Sequence, residues 1–177
     1  MIKKKVLILL ILAPLLAQAD SVVIEALVTA EDNQYWAPQK SMHLTLGHLK
    51  NVEGTTIQTA IKQFNHRYRH LLKKSLLPGF TVKSFTANGF NRGFHILEAD
   101  EETSQRLSSL NAELYHFFIK NYHEKFTDIT SPKFIFPTGY TPHIEFIETN
   151  GHIPKAGTQV KFLGTELIAR IQNFDRD

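Results

Sequence analysis

Two short stretches, "MHLTL" at residues 42–46 and "TPHIEF" at residues 141–146, decide the fold of this chain. Both alternate polar with apolar side chains, which is the period of a half-buried strand. In each stretch a histidine and the polar residue two positions later point to one face, while the apolar residues point to the other. We therefore predict two strands with matching polar faces. The polar pairs are His43 with Thr45 and His143 with Glu145.

The first 19 residues have the pattern of a secretory signal. Three lysines precede the apolar run "VLILLILAPLLA", and "AQA" before Asp20 has the small-x-small pattern of a cleavage site. The apolar run is shorter than the roughly 20 residues that a membrane span needs; an uncleaved anchor is the alternative. We expect cleavage after Ala19, which leaves residues 20–177 as a single domain of a periplasmic or secreted protein.

Charge and cysteine content narrow the classes of function. The net charge of +3 falls to zero once the three lysines of the signal are removed. The remaining chain therefore has no excess charge for general nucleic-acid or membrane binding. The absence of cysteine excludes disulfides, thiolate metal ligands and a cysteine nucleophile. We expect a monomer that binds neither nucleic acid in general nor a membrane.

Hydrophobic periodicity predicts the element order ββα, ββα, ββ, which is a loose internal duplication. The predicted helices cover residues 55–74 and 100–126, and each half places one histidine stretch on a strand. The fold class is therefore α+β, with two similar lobes, each an antiparallel sheet with a packed helix, facing each other across a cleft. The predicted strands cover residues 21–29, 42–49, 80–90, 93–99, 141–148 and 159–174, the last as one strand or a bent pair.

Two imidazoles in one groove suit metal-free phosphoryl transfer. A neutral histidine takes a proton from a hydroxyl group or a water molecule, and a protonated histidine gives one to the leaving oxygen. Histidine serves both roles because its unperturbed pKa lies near neutrality. A hydroxyl group two residues along the strand can donate to a phosphate oxygen. One His-x-Thr stretch alone is more often a surface feature, but two stretches in matching phase favour a shared site.

The stretches "HLTL" and "TPHIEF" resemble the paired H-x-[ST]-apolar motifs of the two-histidine phosphoesterases, which include 2′-5′ RNA ligase-like proteins and cyclic phosphodiesterases. Strand order, the long second helix and the closing strand extend the resemblance over most of residues 20–177. It implies a bilobed fold that cleaves 2′,3′-cyclic phosphates, 2′-5′ linkages or related small nucleotide esters without a metal or other cofactor. It also implies that His43 and His143 are the acid/base pair and that Thr45 binds the phosphate.

Glu145 departs from the motif, which has serine or threonine at this position. A carboxylate repels a phosphate diester, by about 1 kcal/mol at 4 Å in water and several-fold more in a sheltered cleft. Three interpretations stay open. The site is degenerate and only binds a ligand; the substrate is less anionic, or offers a hydroxyl or amine to Glu145; or Glu145 turns aside and raises the pKa of His143. A secreted effector that binds a protein partner is a further class.

Aromatic and basic residues in the connecting loops complete the predicted site. Trp36 and Tyr140 precede the two histidine stretches, where they are placed to stack on a base. Arg92, in the loop "NGFNRG", is placed to reach a phosphate group. Core packing and a surface location are the simpler roles for residues of these types.

Three further histidines are weighed against this site. His66 and His70 lie four residues apart on the first predicted helix, a spacing that can bind zinc. A third ligand is not evident, so a solvated helix face is the simpler interpretation. His48 has the opposite strand parity to His43 and is predicted to be structural or exposed.

We expect the mature protein to begin at Asp20, because the small residues of "AQA" satisfy the cleavage site. Mass spectrometry of the processed protein measures its first residue. Ala19→Phe is the matched control, since a bulky side chain at the cleavage site should block processing. A mature pool that retains Met1 would contradict the prediction.

Overall fold

A computed structural model of the chain describes residues 20–29, 42–89, 94–122, 140–146 and 154–172. The predicted signal, the predicted site residues Trp36 and Arg92, and parts of several predicted elements lie outside these residues. The strands of the described residues are β1 (Asp20–Leu27), β2 (His43–Val52), β3 (Phe80–Gly89), β4 (Phe94–Ala99), β5 (His143–Phe146), β6 (Gln159–Val160) and β7 (Ile168–Gln172). The helices are α1 (Gly54–Arg67), α2 (Arg69–Leu76) and α3 (Glu101–Tyr122).

The strands form one antiparallel sheet in the order β6-β3-β4-β5-β2-β1-β7. The predicted α+β class is confirmed. The strands of the first histidine stretch and of the second are neighbours, since β2 pairs with β5 in the interior of the sheet. The closing segment is a pair of separate strands, β6 and β7, which lie at opposite edges of the sheet.

Alternation along the strands gives the sheet one apolar face, which the helices cover. Leu44, Leu46 and Ile144 are fully buried there, as the period-two pattern predicts. The apolar stripe predicted for the long helix is also buried; it consists of Leu107, Leu110, Leu114, Phe117 and Phe118 of α3. None of the three helices in the described residues has both the length and the apolar character needed to cross a bilayer.

The single helix predicted for residues 55–74 is wrong in one respect, because the chain forms two helices that separate at Tyr68. Tyr68 leaves helical geometry, with φ −108° and ψ 23°. Its ring stacks on Phe64 at 4.6 Å between centroids and meets Phe117 edge-on. The break lets α1 pack on β1 and β7 while α2 packs on α3.

A β-bulge in β2 changes the face to which its residues point. Ile24 pairs with Gly47, while Glu25 pairs with Thr45, so Leu46 has no cross-strand partner on β1. The side-chain amide of Asn111, buried in α3, donates to the Leu46 carbonyl oxygen at 2.7 Å. A backbone acceptor at the bulge is thus satisfied from the core.

The prediction that His48 and His43 point to opposite faces of the sheet is wrong, because the bulge lies between them. His48 pairs with Val23, whose side chain shares a face with Glu25 two residues along β1. His48 therefore lies on the same face as His43, not on the opposite one. Its Nε2 is within hydrogen-bond distance of the Ser21 hydroxyl group, so the structural role predicted for it is retained.

We expect Asn111→Leu to lower the free energy of unfolding by about 1–3 kcal/mol, because it leaves the Leu46 carbonyl group buried without its donor. Urea unfolding measures the change. Ser109→Ala, at an exposed position of the same helix, is the control and should change stability by no more than about 0.5 kcal/mol. Equal stability of the two variants would show that the amide does not support the bulge.

Candidate functional site

The pairing of β2 with β5 brings the two histidine stretches together. His43 lies directly opposite Glu145, and Leu44 lies opposite Ile144. Residues opposite each other in a ladder share a face, and diagonal neighbours are about 7–8 Å apart. His43 and His143 are diagonal neighbours in this register and lie on the face opposite to the helices. The register therefore places the two histidines at neighbouring positions of one face.

His143 sits between two hydrogen-bond acceptors. Its Nδ1 lies 2.8 Å from the Thr141 carbonyl oxygen, and its Nε2 lies 3.1 Å from Oε1 of Glu145. Neither acceptor can donate a proton when Glu145 is ionised, so both ring nitrogens have to carry one. The geometry therefore favours the imidazolium form of His143.

The surroundings of His143 act on its pKa in opposite directions. Burial lowers the pKa, but the hydrogen bonds to Glu145 and to the Thr141 carbonyl group raise it, as do the charges of Glu145 and Glu98. The net result is a pKa above its ordinary value of 6.5. Local sequence builds this arrangement, since Pro142 keeps the entry to β5 extended and period two places Glu145 beside the ring.

Glu25 and Arg170 are site residues that the sequence reasoning missed. Glu25 lies opposite Thr45 on β1, and its side chain is only 1% exposed. One of its oxygens is 3.5 Å from Nε2 of His43. Arg170 of β7 donates two hydrogen bonds to the same carboxylate, from Nε to Oε1 at 3.0 Å and from Nη2 to Oε2 at 2.9 Å. A lone acid in the apolar strand "SVVIEALVT" was the available signal, because a buried carboxylate requires a partner.

A third carboxylate adds to the negative charge of this face. Glu98 lies directly opposite His143 on β4 and accepts a hydrogen bond of 2.8 Å from the Ser84 hydroxyl group. Within the described part of the chain, the three carboxylates near the histidines outnumber the two cations beside them, the guanidinium of Arg170 and protonated His143. The face is therefore not a general binding surface for anions.

Tyr140 is held by the scaffold. Its hydroxyl group donates to the Thr45 carbonyl oxygen at 2.9 Å, and its ring packs against the core. Burial raises the pKa of Tyr140, so the hydroxyl group remains a donor. This contact ties the entry of β5 to β2 beside both histidine stretches. Stacking of Tyr140 on a base stays a prediction, as do the roles of Trp36 and Arg92, which lie outside the described residues.

The histidines weighed for zinc lie elsewhere. His66 belongs to α1 and His70 to α2, and both side chains are exposed on the helical layer, with the break at Tyr68 between them. Across the ranges that the structure describes, no three His, Asp or Glu side chains are grouped so as to hold a metal ion.

The arrangement supplies the parts of an acid–base pair. One imidazole is fixed between two acceptors in its protonated form, and a second lies next to a buried carboxylate that can orient its ring and stabilise a positive charge on it. Thr45 lies between them on β2, with its side chain half-buried on the same face. A general acid and a general base of this kind act on two atoms, the oxygen that loses a proton and the oxygen that gains one.

Comparison with known proteins adds no relative. The chain matches no known protein family, and it matches no curated protein. The resemblance in the histidine stretches therefore rests on the residues quoted above and on their geometry.

We expect Glu145→Gln to lower the pKa of His143, because the variant removes a negative charge and an acceptor of the Nε2 proton. NMR titration of the His143 ring measures the pKa. Glu101→Gln, at an exposed position of α3, is the matched control and should leave the ring unchanged. An unchanged His143 titration in Glu145→Gln would contradict the ion pair.

Glu145→Gln should also change how the free energy of unfolding depends on pH. Because the folded-state pKa of His143 is raised above 6.5, the protonated ring stabilises the fold fully below that pH. The contribution is lost as pH rises through the raised value. The stability difference between the wild type and Glu145→Gln should therefore be largest in mild acid and should shrink toward alkaline pH.

Proposed function

We propose that the chain is an exported phosphoesterase-like protein of the two-histidine type, which cleaves a nucleotide phosphodiester or a 2′,3′-cyclic phosphate by acid–base catalysis. The observation that carries this proposal is the diagonal placement of His43 and His143 on one face of adjacent strands. The halves β6-β3-β4-β5 and β2-β1-β7 would be the two lobes, and the polar face along the β2–β5 pair would be the floor of the cleft.

In this proposal His143 is the general acid. Its two acceptors hold both ring protons, and the Nε2 proton would pass to the substrate from its hydrogen bond with Glu145. His43 is the general base, with Glu25 orienting the ring and stabilising the positive charge that forms on it. Arg170 offsets the cost of burying the Glu25 carboxylate.

The proposed hydrolysis uses one water molecule. His43 removes a proton from the water as its oxygen forms a bond to phosphorus. The bond from phosphorus to the 2′ or 3′ ester oxygen breaks, and His143 gives its Nε2 proton to that oxygen. The product is a phosphate monoester, and proton exchange with solvent returns both rings to their starting forms. Thr45 is the proposed donor to a non-bridging phosphate oxygen, with Trp36, Tyr140 and Arg92 as further substrate contacts.

Glu145 fits this scheme best as a residue that tunes the acid. Its oxygen lies 3.1 Å from Nε2 of His143, and its charge helps to raise the pKa of that ring. Of the three interpretations that the sequence leaves open, this contact favours the third.

A second candidate function is ligand binding without turnover. The observation that favours it is the same contact between His143 and Glu145. The Glu145 carboxylate accepts the hydrogen bond of Nε2, which is the nitrogen that would have to donate its proton to the substrate. The carboxylates of Glu25 and Glu98 on the same face also oppose a phosphodiester. A binding protein of this kind would accept a ligand that offers a hydroxyl or amine group to Glu145.

We expect the protein to hydrolyse a 2′,3′-cyclic nucleotide in excess chelator, with a bell-shaped dependence on pH. His43→Ala and His143→Ala should each lower kcat/KM at least about 100-fold, the lower range for loss of a general acid or base. His66→Ala, at an exposed helical position, is the control for histidine loss. Turnover that chelator abolishes and zinc restores would overturn the proposal.

We expect Glu145→Thr to lower the activity and to shift the pH optimum downward, because the acid loses the charge that holds its proton. The pH profile of kcat/KM is the measurement. A rise in activity would instead place the carboxylate at the phosphate, where it repels the substrate. No turnover in either protein, with ligand affinity little changed by His43→Ala, would favour the binding protein.

A further inference from the structure

The outer surface of α1 and α2 carries concentrated positive charge. The sequence contains no acidic residue between Glu53 and Glu98. Over the same stretch the two helices present five exposed lysine and arginine side chains together with two exposed histidines. We call this the basic helical surface; its residues are Lys62, His66, Arg67, Arg69, His70, Lys73 and Lys74.

The described carboxylates do not offset this charge. No carboxylate of the described residues lies within salt-bridge distance of the basic helical surface. Arg69 and Lys73 lie four residues apart on α2, where like charges destabilise a helix by about 0.2–0.5 kcal/mol per pair. Since residues 20–177 have a net charge of zero, the rest of the domain carries the balancing negative charge. The net charge of zero, from which we expected no membrane binding, therefore does not describe this local surface.

The surface also has a shape that suits a small anionic group. A shallow depression of about 690 Å³ lies on α1, lined by Thr59, Lys62, Gln63, His66 and Arg67. Three of these side chains are basic and the other two can donate hydrogen bonds. Basic side chains beside hydrogen-bond donors can bind a phosphate group.

An exposed leucine follows the basic residues. Leu77 directly follows α2 and is 71% exposed, although Leu72 and Leu76 of the same segment are buried. Lys73 and Lys74 lie in the last turn before it. A large aliphatic side chain beside lysines is typical of segments that rest on a bilayer, with the apolar group among the lipids and the cations at the headgroups.

We propose that the basic helical surface docks on an anionic phospholipid membrane, with Leu77 inserted at the interface and a lipid phosphate in the α1 depression. A nucleic acid would share the phosphate chemistry. Phe64 is fully buried. The ring of the half-buried Tyr68 stacks on Phe64 and has the Arg67 guanidinium 5.7 Å from its centroid, so neither of these described rings is an open stacking platform for bases. The exposed leucine has no function on a nucleic acid.

Docking through the helices leaves the histidine face free. The helices cover the apolar face of the sheet, and His43 and His143 lie on the other face. A bound protein would thus hold its candidate site toward the water. Membrane docking is independent of the proposed hydrolysis, so failure of either one leaves the other standing.

The test is co-sedimentation of the purified protein with vesicles of equal parts phosphatidylglycerol and phosphatidylcholine, and with phosphatidylcholine alone. Lys73→Gln combined with Lys74→Gln should weaken binding to the anionic vesicles about 30-fold, roughly five-fold for each lysine. The control changes two exposed lysines outside the helices, Lys155→Gln with Lys161→Gln. Every variant has the same N-terminal segment, so the comparison isolates the surface.

Four further results decide the proposal. Leu77→Ser should weaken binding to anionic vesicles about ten-fold, as expected for one aliphatic side chain leaving the interface, and raising the salt concentration should weaken it further. Equal effects of the two lysine pairs would overturn the proposal. Tighter binding to a single-stranded oligonucleotide than to the vesicles, with no effect of Leu77→Ser, would also overturn it and would assign the surface to nucleic acid.

Discussion

The backbone pairing of β2 with β5 is the contact on which the site depends. It joins two stretches that are far apart in the sequence, and its register sets His43 opposite Glu145. A shift of one residue would turn one histidine into the core and one aliphatic side chain outward. The buried Leu44 and Ile144 prevent that shift from the apolar side. Packing on the apolar face of the sheet thus sets the positions of the polar side chains on the other face.

Two ion pairs lie on the polar face, one between Glu25 and Arg170 and one between Glu145 and His143. Glu25 is buried and would be costly alone, but Arg170 grips both of its oxygens. Glu145 is partly exposed and holds the proton of His143. The two histidines consequently lie next to carboxylates in different environments, one buried and bound by a guanidinium and one partly exposed beside the ring. In the proposed function, this difference would separate the acid from the base.

Periodicity predicted the strands, the buried stripe of α3 and the polar faces of both histidine stretches, because these depend on nearest neighbours along the chain. The break at Tyr68 could not be predicted, since "NHRYRH" contains no glycine or proline and the ring contacts of Tyr68 include Phe117, a residue distant in the sequence. The bulge at Leu46 depends on an amide 65 residues away. The role of Glu25 depends likewise on Arg170, which no local pattern reveals.

The first and last strands that the structure describes, β1 and β7, are neighbours in the sheet. Glu25 and Arg170, which join them, are separated by 145 residues. During synthesis from the amino end, Glu25 is made long before its cation exists, and closing so long a loop is slow. A nascent chain therefore holds an open edge of β1, with Glu25 beside His43 but still lacking Arg170, until β7 emerges. The ion pair can close this side of the sheet only after both strands have been made.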